Sequence, residues 1–408
     1  MAIDSVMSLY PSNPFLMSSS FASEDSEIDD NQFNFTISDE LLIDPKDVEI
    51  SDIIGRGRNS FVCKGLYKNQ VPVAVKLGPT IRTSAGSKHY KEMFQNEVIF
   101  LSKIKHDNIV KFVGAIIEPV LVIVTELLEG GSLKNLLWGS LPKTLDLKMS
   151  LSYALDIARA MECLHSNGFI YRDLRPKNVL LTSDLTHAKL SDFGLTREET
   201  TGCMTTKAGT YRWMAPEVFF CVYLQVINRE RYDHKVDVYS FAIVLWELLT
   251  KKLPFSGLFD INVAYLVVSK NKRPSLCDIP DDVASILESC WAKDPKARPE
   301  FKEITVLLSN LLTTLCSDNN CGFGEQSDLE SVCSDNSSNR TMINHPALNE
   351  EDYDGDDDME DECSTSTLIQ MRNSQETKPM KKMGEVKKRV MKLISPFFKM
   401  FKHCLSKP

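Results

Sequence analysis

Apolar positions along the chain change their spacing in a way that divides it. Between residues 48 and 125 they cluster in short runs. Val48–Ile54, Ser60–Tyr67, Val71–Leu77, Ile109–Ile117 and Val120–Thr125 read as strands. One helical stripe interrupts them: within His89–Lys105, Phe94, Val98, Leu101 and Ile104 recur at helical spacing. After Gly130 the period is helical. Leu147, Leu151, Ala154, Leu155, Ala158, Met161 and Leu164 mark a long helix that Asn167-Gly168 ends. The run Val236–Leu249 carries Asp237 and Glu247 and is too short to span a bilayer, so it reads as a buried helix and no transmembrane segment is expected. The pattern implies a small sheet-rich lobe before a larger helical one, with a cleft between them where a ligand would sit.

The flanks lack this periodicity. Residues 1–47 are rich in Ser, Asn and Asp and read as disordered, as do residues 316–370, whose acidity peaks in Glu350–Glu362. Residues 371–408 regain hydrophobic spacing in a basic setting. Val386, Val390, Leu393, Phe397, Phe401 and Leu405 form one stripe, with Lys387, Lys388, Arg389, Lys392, Lys399 and Lys402 between them and Pro396 breaking the helix. A basic amphipathic helix over 381–405 fits calmodulin or an anionic membrane surface; docking on the folded body or the acidic tract is the alternative.

With 43% hydrophobic and 25% charged residues in 408, the chain affords a sizeable core and is neither collagenous nor wholly disordered. The net charge of −9 hides a partition. Residues 1–48 hold ten acids and one base, 316–366 fifteen acids and one base, and 371–408 eleven bases and two acids. The body between is mildly positive, and no nucleic-acid partner is expected. Eleven scattered cysteines suit a reducing compartment better than a disulfide framework. No secretory leader is visible, so a cytoplasmic setting is expected, with the basic tail as a route to a membrane periphery.

Three groups of residues carry candidate chemistry. Ile54-Gly55-Arg56-Gly57-Arg58-Asn59-Ser60-Phe61-Val62 joins two strands, and its glycines would let backbone N–H groups approach phosphates; an ordinary glycine hairpin is the alternative. A strand follows the loop, which excludes a dinucleotide fold. Val73-Ala74-Val75-Lys76 sets a lysine in an apolar strand, and Glu97 falls inside the apolar stripe of the following helix. A buried carboxylate needs a cation, and Lys76 is the candidate. The third group is Tyr171-Arg172-Asp173-Leu174-Arg175-Pro176-Lys177-Asn178 with Ser191-Asp192-Phe193-Gly194. Strands at Val179–Leu181 and Ala188–Leu190 would fold Asp192 back beside Asn178, a pair of oxygen ligands suited to Mg²⁺.

In this order the groups resemble the eukaryotic protein kinase family over about residues 48–315. Gly209-Thr210-Tyr211-Arg212-Trp213-Met214-Ala215-Pro216-Glu217 and Lys235-Val236-Asp237-Val238-Tyr239-Ser240-Phe241 resemble its tyrosine-kinase-like branch, as does Cys290-Trp291 followed by Asp294-Pro295 and Arg298-Pro299. Within that branch the chain is similar to plant Raf-like MAP kinase kinase kinases of the C group. The resemblance implies an α+β, bilobal kinase-like fold, with a small β-sheet N-lobe (48–128) bearing one helix and a larger helical C-lobe (129–315). It implies an ATP-dependent serine/threonine kinase; a pseudokinase scaffold or a dual-specificity kinase acting also on tyrosine is the alternative.

The family roles carried over are these. ATP would be bound by Ile54, Gly55, Arg56, Gly57, Val62, Ala74, Lys76, Thr125, Glu126, Leu128 and Leu180. Glu97 would orient Lys76, while Asn178 and Asp192 would hold Mg²⁺. Asp173 would accept the proton of the substrate hydroxyl and Arg175 would reach the γ-phosphate. Glu217 would pair with Arg298 as a structural link. Arg172 would bind a phosphate on Thr205 or Thr206 of the activation loop. Tyr171, Arg175 and Ser60 stand where the family more often has histidine, lysine and glycine.

Overall fold

The structure is a computed structural model that describes residues 34–57, 60–80, 88–118, 120–139, 145–199, 211–223 and 232–318. Its first half is a five-stranded antiparallel sheet: β1 (Val48–Arg56), β2 (Phe61–Tyr67), β3 (Val71–Thr80), β4 (Phe112–Ile116) and β5 (Val120–Glu126), ordered β1-β2-β3-β5-β4. Helix α1 (Lys88–Lys103) joins β3 to β4. These match the expected segments. The main shortening is at β4, where Ile109 instead makes an isolated bridge to Leu190 of the second lobe.

The period of two sorts the sheet's side chains. Val48, Ile50, Cys63, Val73, Val75, Leu77, Ile116, Val122 and Val124 pack into one buried cluster. Positions between them face the other way, and the register sets Val62 opposite Lys76, and Ala74 opposite Thr125. β1 and β2 close up at Gly65, where a Cβ would run into the Glu49 carbonyl.

The segment ahead of β1 departs from the expectation of disorder over 1–47. Phe35 sets its ring edge-on to Phe94 of α1. Leu42 bridges Ala115, and Ile43 packs against the sheet's core. Phe35, Leu42 and Ile43 are apolar residues of this polar stretch that make these contacts.

The second lobe is mainly helical: α2 (Leu133–Trp138), α3 (Leu147–Ser166), α4 (Pro216–Tyr223), α5 (Lys235–Thr250), α6 (Asp260–Lys270), α7 (Asp281–Cys290) and α8 (Phe301–Asp318). Asp146 caps α3 by accepting from the Met149 N–H at 2.7 Å, and Gly168, with φ +75°, follows its end. α3 and α7 both pack on α5, which is buried along nearly its whole length. Two small antiparallel pairs complete the lobe: β6 (Phe169–Ile170) with β9 (Arg197–Glu198), and β7 (Val179–Leu181) with β8 (Ala188–Leu190). None of the described helices is long and apolar enough to cross a membrane.

Candidate active site

β3 delivers Lys76 and α1 delivers Glu97 to one point. Lys76 Nζ donates to Glu97 Oε1 and Oε2, each at 3.0 Å, and to Asp192 Oδ1 at 2.8 Å. The side chain of Glu97 is 7% exposed, so it is the deeply buried acid that needed a cation. Burial works against the charge on Lys76, but Asp192 and then Glu97 outweigh it and hold the ammonium above the usual lysine range. Lys76 in turn is the main influence that keeps the Asp192 carboxyl below the usual range.

The segment Tyr171–Asn178 is fixed from beneath. Tyr171 and Arg172 each donate a backbone N–H to the Asp237 carboxylate, both at 2.8 Å, from the first turn of α5. Asn178 Nδ2 donates to the Asp173 carbonyl at 2.8 Å and to Asp173 Oδ2 at 2.7 Å. Arg175 Nε stands 3.5 Å from Asp173 Oδ1. Burial raises the Asp173 carboxyl above the ordinary aspartate range, against the pull of Arg175.

The β7–β8 hairpin closes as its polar turn predicts. It returns the chain so that Ser191 N–H donates to the Asn178 carbonyl at 2.9 Å, which sets Asp192 beside Asn178. Asp192 itself is in the left-handed region, φ 58°, a conformation that a non-glycine residue adopts at a cost of about 1 kcal/mol or more. The next residue anchors it. Phe193 is fully buried, stacked on Phe100 of α1 with centroids 4.5 Å apart and edge-on to Tyr171 at 5.4 Å. Tyr171 also donates its hydroxyl to the Ser191 carbonyl.

The other expected residues are distributed over both lobes. Gly55 pairs with Val62 across β1 and β2, and Ala74 with Thr125 across β3 and β5. Ile54 is exposed, and Leu180 bridges Ser132 at the start of the second lobe. Gly57 N–H donates to the Ser60 carbonyl at 2.8 Å across the loop tip. Glu126 donates its N–H to the Lys111 carbonyl at 2.9 Å, and Leu128 follows just past β5. Glu217 receives Arg298 in a fork, at 2.6 and 3.0 Å. Arg172 is buried with its guanidinium over the Tyr232 ring, while Thr205 and Thr206 lie outside the described residues, as do residues 381–405.

Two contributors escape a reading of the sequence alone. Lys189 of β8 donates to Glu126 Oε1 at 2.7 Å, tying the end of β5 to the second lobe across 63 positions. Asp237 was legible only as a charge in a core helix; that a buried carboxylate must have partners was the available signal.

A five-stranded sheet with one helix, set over a helical lobe and gathering a lysine, a glutamate, two aspartates and an asparagine at their junction, defines a protein kinase. The chain belongs to the protein tyrosine and serine/threonine kinase family, whose model matches residues 48–308, more than half its length. Its relatives are kinases of the Raf-related, tyrosine-kinase-like group. It is 39% identical over 276 residues to the serine/threonine/tyrosine-protein kinase HT1 of Arabidopsis thaliana, a match covering 66% of this chain and 68% of that one. It is 38% identical over 284 residues to the serine/threonine-protein kinase STY17 of the same plant, covering 69% and 47%. The human mitogen-activated protein kinase kinase kinase 7 is 34% identical over 276 residues, covering 66% and 43%. The match thus spans about two-thirds of the first relative and under half of the other two. Members of the family use ATP to phosphorylate proteins, and this chain is a kinase of the serine/threonine class.

Proposed function

We propose that the chain is a signalling serine/threonine kinase whose chemistry is assembled by Lys76. One observation carries the reading: a single ammonium engages both Glu97 and Asp192, so the small lobe's helix and the Asp192-Phe193-Gly194 turn are set in one geometry. Phosphoryl transfer asks a protein chiefly for such positioning and for charge neutralisation.

In this reading Gly55, Arg56 and Gly57 cover the phosphates and Lys76 holds two of them, with Glu97 as its orienting group. Ile54, Val62, Ala74, Thr125, Glu126, Leu128 and Leu180 enclose the adenine. Asp192 and Asn178 fit Mg²⁺ by their donor chemistry. Asn178 gives its amide nitrogen to Asp173, which leaves its carbonyl oxygen for a cation, and Asp192 has a second oxygen beyond the one Lys76 engages. Bound there, the ion would neutralise phosphate charge. Asp173, held by Asn178, receives the proton of the substrate hydroxyl, and a carboxyl raised by burial is the better base for it. Arg175 adds positive charge beside it.

A dual-specificity reading is favoured by one finding, the serine/threonine/tyrosine name of the Arabidopsis relative. Incubation of the purified chain with Mg-ATP and arrayed serine, threonine and tyrosine peptides tests both. Serine and threonine labelling supports the main reading, tyrosine labelling in addition supports the second, and labelling of none refutes both. For regulation we infer phosphorylation at Thr205 or Thr206, read by Arg172; phosphopeptide mapping of active enzyme that finds both unmodified refutes it. For the basic tail we infer calmodulin or anionic-membrane contact through 381–405, which deletion of 381–408 without effect on either binding would refute.

A further inference from the structure

Away from the nucleotide cleft, beneath the segment that β9 begins, two histidines and a glutamate meet. One ring nitrogen each of His165 and His234 and a carboxylate oxygen of Glu300 lie within 4.8 Å of one another. His165 lies in the last turn of α3, His234 precedes α5 and Glu300 precedes α8, so three helix ends supply the three groups. The ring centroids of the two histidines are 5.0 Å apart.

Each histidine has one nitrogen already fixed by a carboxylate. His165 Nε2 meets Asp237 Oδ2 at 3.0 Å, and His234 Nδ1 meets Glu199 Oε1 at 2.9 Å. An acid behind each imidazole is how metal-binding histidines are oriented and made more basic. The opposite nitrogens are those a ligand would take. His234 Nε2 meets Glu300 Oε2 at 3.0 Å. His165 Nδ1 is buried and has no hydrogen-bond partner, and the side chain is 8% exposed. A buried polar nitrogen without a partner is costly and calls for a ligand. Lys235 Nζ holds the other Glu300 oxygen, Oε1, which leaves Oε2 for the cluster.

We propose that His165 Nδ1, His234 Nε2 and Glu300 Oε2 form a zinc site. Two imidazoles and one carboxylate are a ligand set that zinc takes in tetrahedral geometry, with a fourth position for water. The ion replaces the proton now shared by His234 Nε2 and Glu300 Oε2, and that proton leaves to solvent. Zinc would then clamp Glu199, at the edge of the activation segment, to α5 and α8, through the same Asp237 that holds the backbone of Tyr171 and Arg172. The site is therefore a clamp on the segment Tyr171–Asn178, distinct from the Mg²⁺ and nucleotide groups.

The test is calorimetric titration of Zn²⁺ into chelator-stripped full-length chain, repeated with Co²⁺ to read the ligand field by visible absorption. The expected result is one tight equivalent that His234→Gln and Glu300→Gln both remove and Asp192→Asn keeps. Glu199→Gln, which loosens the support of His234, should weaken it by about 10- to 100-fold. Should His234→Gln fail to fold, Glu300→Gln, a near-isosteric change at a partly exposed residue, decides alone. Zinc bound equally by wild type and a folded Glu300→Gln, zinc lost with Asp192→Asn, or no stoichiometric zinc at all would each overturn the proposal.

Discussion

Lys76 Nζ lies 2.8 Å from Asp192 Oδ1, an ion pair that crosses from β3 of the small lobe to the turn after β8 of the large one. The same ammonium is 3.0 Å from both oxygens of Glu97, so the lysine has two acidic neighbours of different standing: one nearly buried on α1, one half-exposed at the cleft. Glu97→Gln keeps the volume and removes the buried charge, leaving Asp192 to draw Lys76 toward itself. Steady-state kinetics should show kcat/KM lowered by about 100-fold, the scale of a misplaced catalytic group, with the fold intact by circular dichroism. Unchanged kinetics would mean that Glu97 does not position Lys76.

Tyr171 is fully buried, edge-on to Phe193, and donates its hydroxyl to the Ser191 carbonyl. Tyr171→Phe keeps the ring contact and leaves that carbonyl without its donor, which costs about 1–3 kcal/mol. Thermal unfolding should shift down by roughly 2–4 °C per kcal/mol for a domain of this size. A Tm equal to wild type would show that the hydroxyl is dispensable.

Arg298 has no exposed side-chain surface, yet it is charged; its fork onto Glu217 is joined by bonds to the carbonyls of Ala292 and Lys235 and by the Tyr239 ring at 5.3 Å. Removing one partner of a buried ion pair strands the other. Arg298→Ala should therefore destabilise the chain by about 3–5 kcal/mol in denaturant titration. Arg298→Lys should recover only part, since one ammonium cannot make the planar, multiply branched contact. Full rescue by lysine would contradict the geometry.

Phe35 and Phe94 stand edge to face with centroids 5.9 Å apart, so the chain ahead of β1 reaches the helix that carries Glu97. An aromatic pair of this kind contributes about 1 kcal/mol. Phe35→Ala should lower stability by that amount and raise amide exchange in α1 near Phe94. No change in α1 exchange would show that the contact does not restrain the helix.

Much of this was legible because the informative patterns are local. Short apolar runs gave β2, β3 and β5; the polar turn between Val179–Leu181 and Ala188–Leu190 gave a hairpin that closes as expected. Glu97 betrayed its partner because a carboxylate inside an apolar stripe has few solutions. The illegible parts are those where distant segments meet. Nothing near Lys189 signals Glu126, and nothing near Asp237 signals the backbone of Tyr171 and Arg172, 66 and 65 positions away. The reading of 1–47 missed Phe35, Leu42 and Ile43 because apolar residues scattered through a polar stretch make no period; they are ordered by the surface they meet.

Asp173, Lys76, Asn178 and Asp192 are proposed to form one phosphoryl-transfer centre, and Asp173→Asn probes it at the proton that moves. Transfer from radiolabelled Mg-ATP to a serine/threonine peptide should be compared between purified wild type and Asp173→Asn matched for fold. Wild type should label steadily and the variant should lose about 10²- to 10⁴-fold, the range for removing a catalytic base. Equal labelling by the two proteins would contradict it.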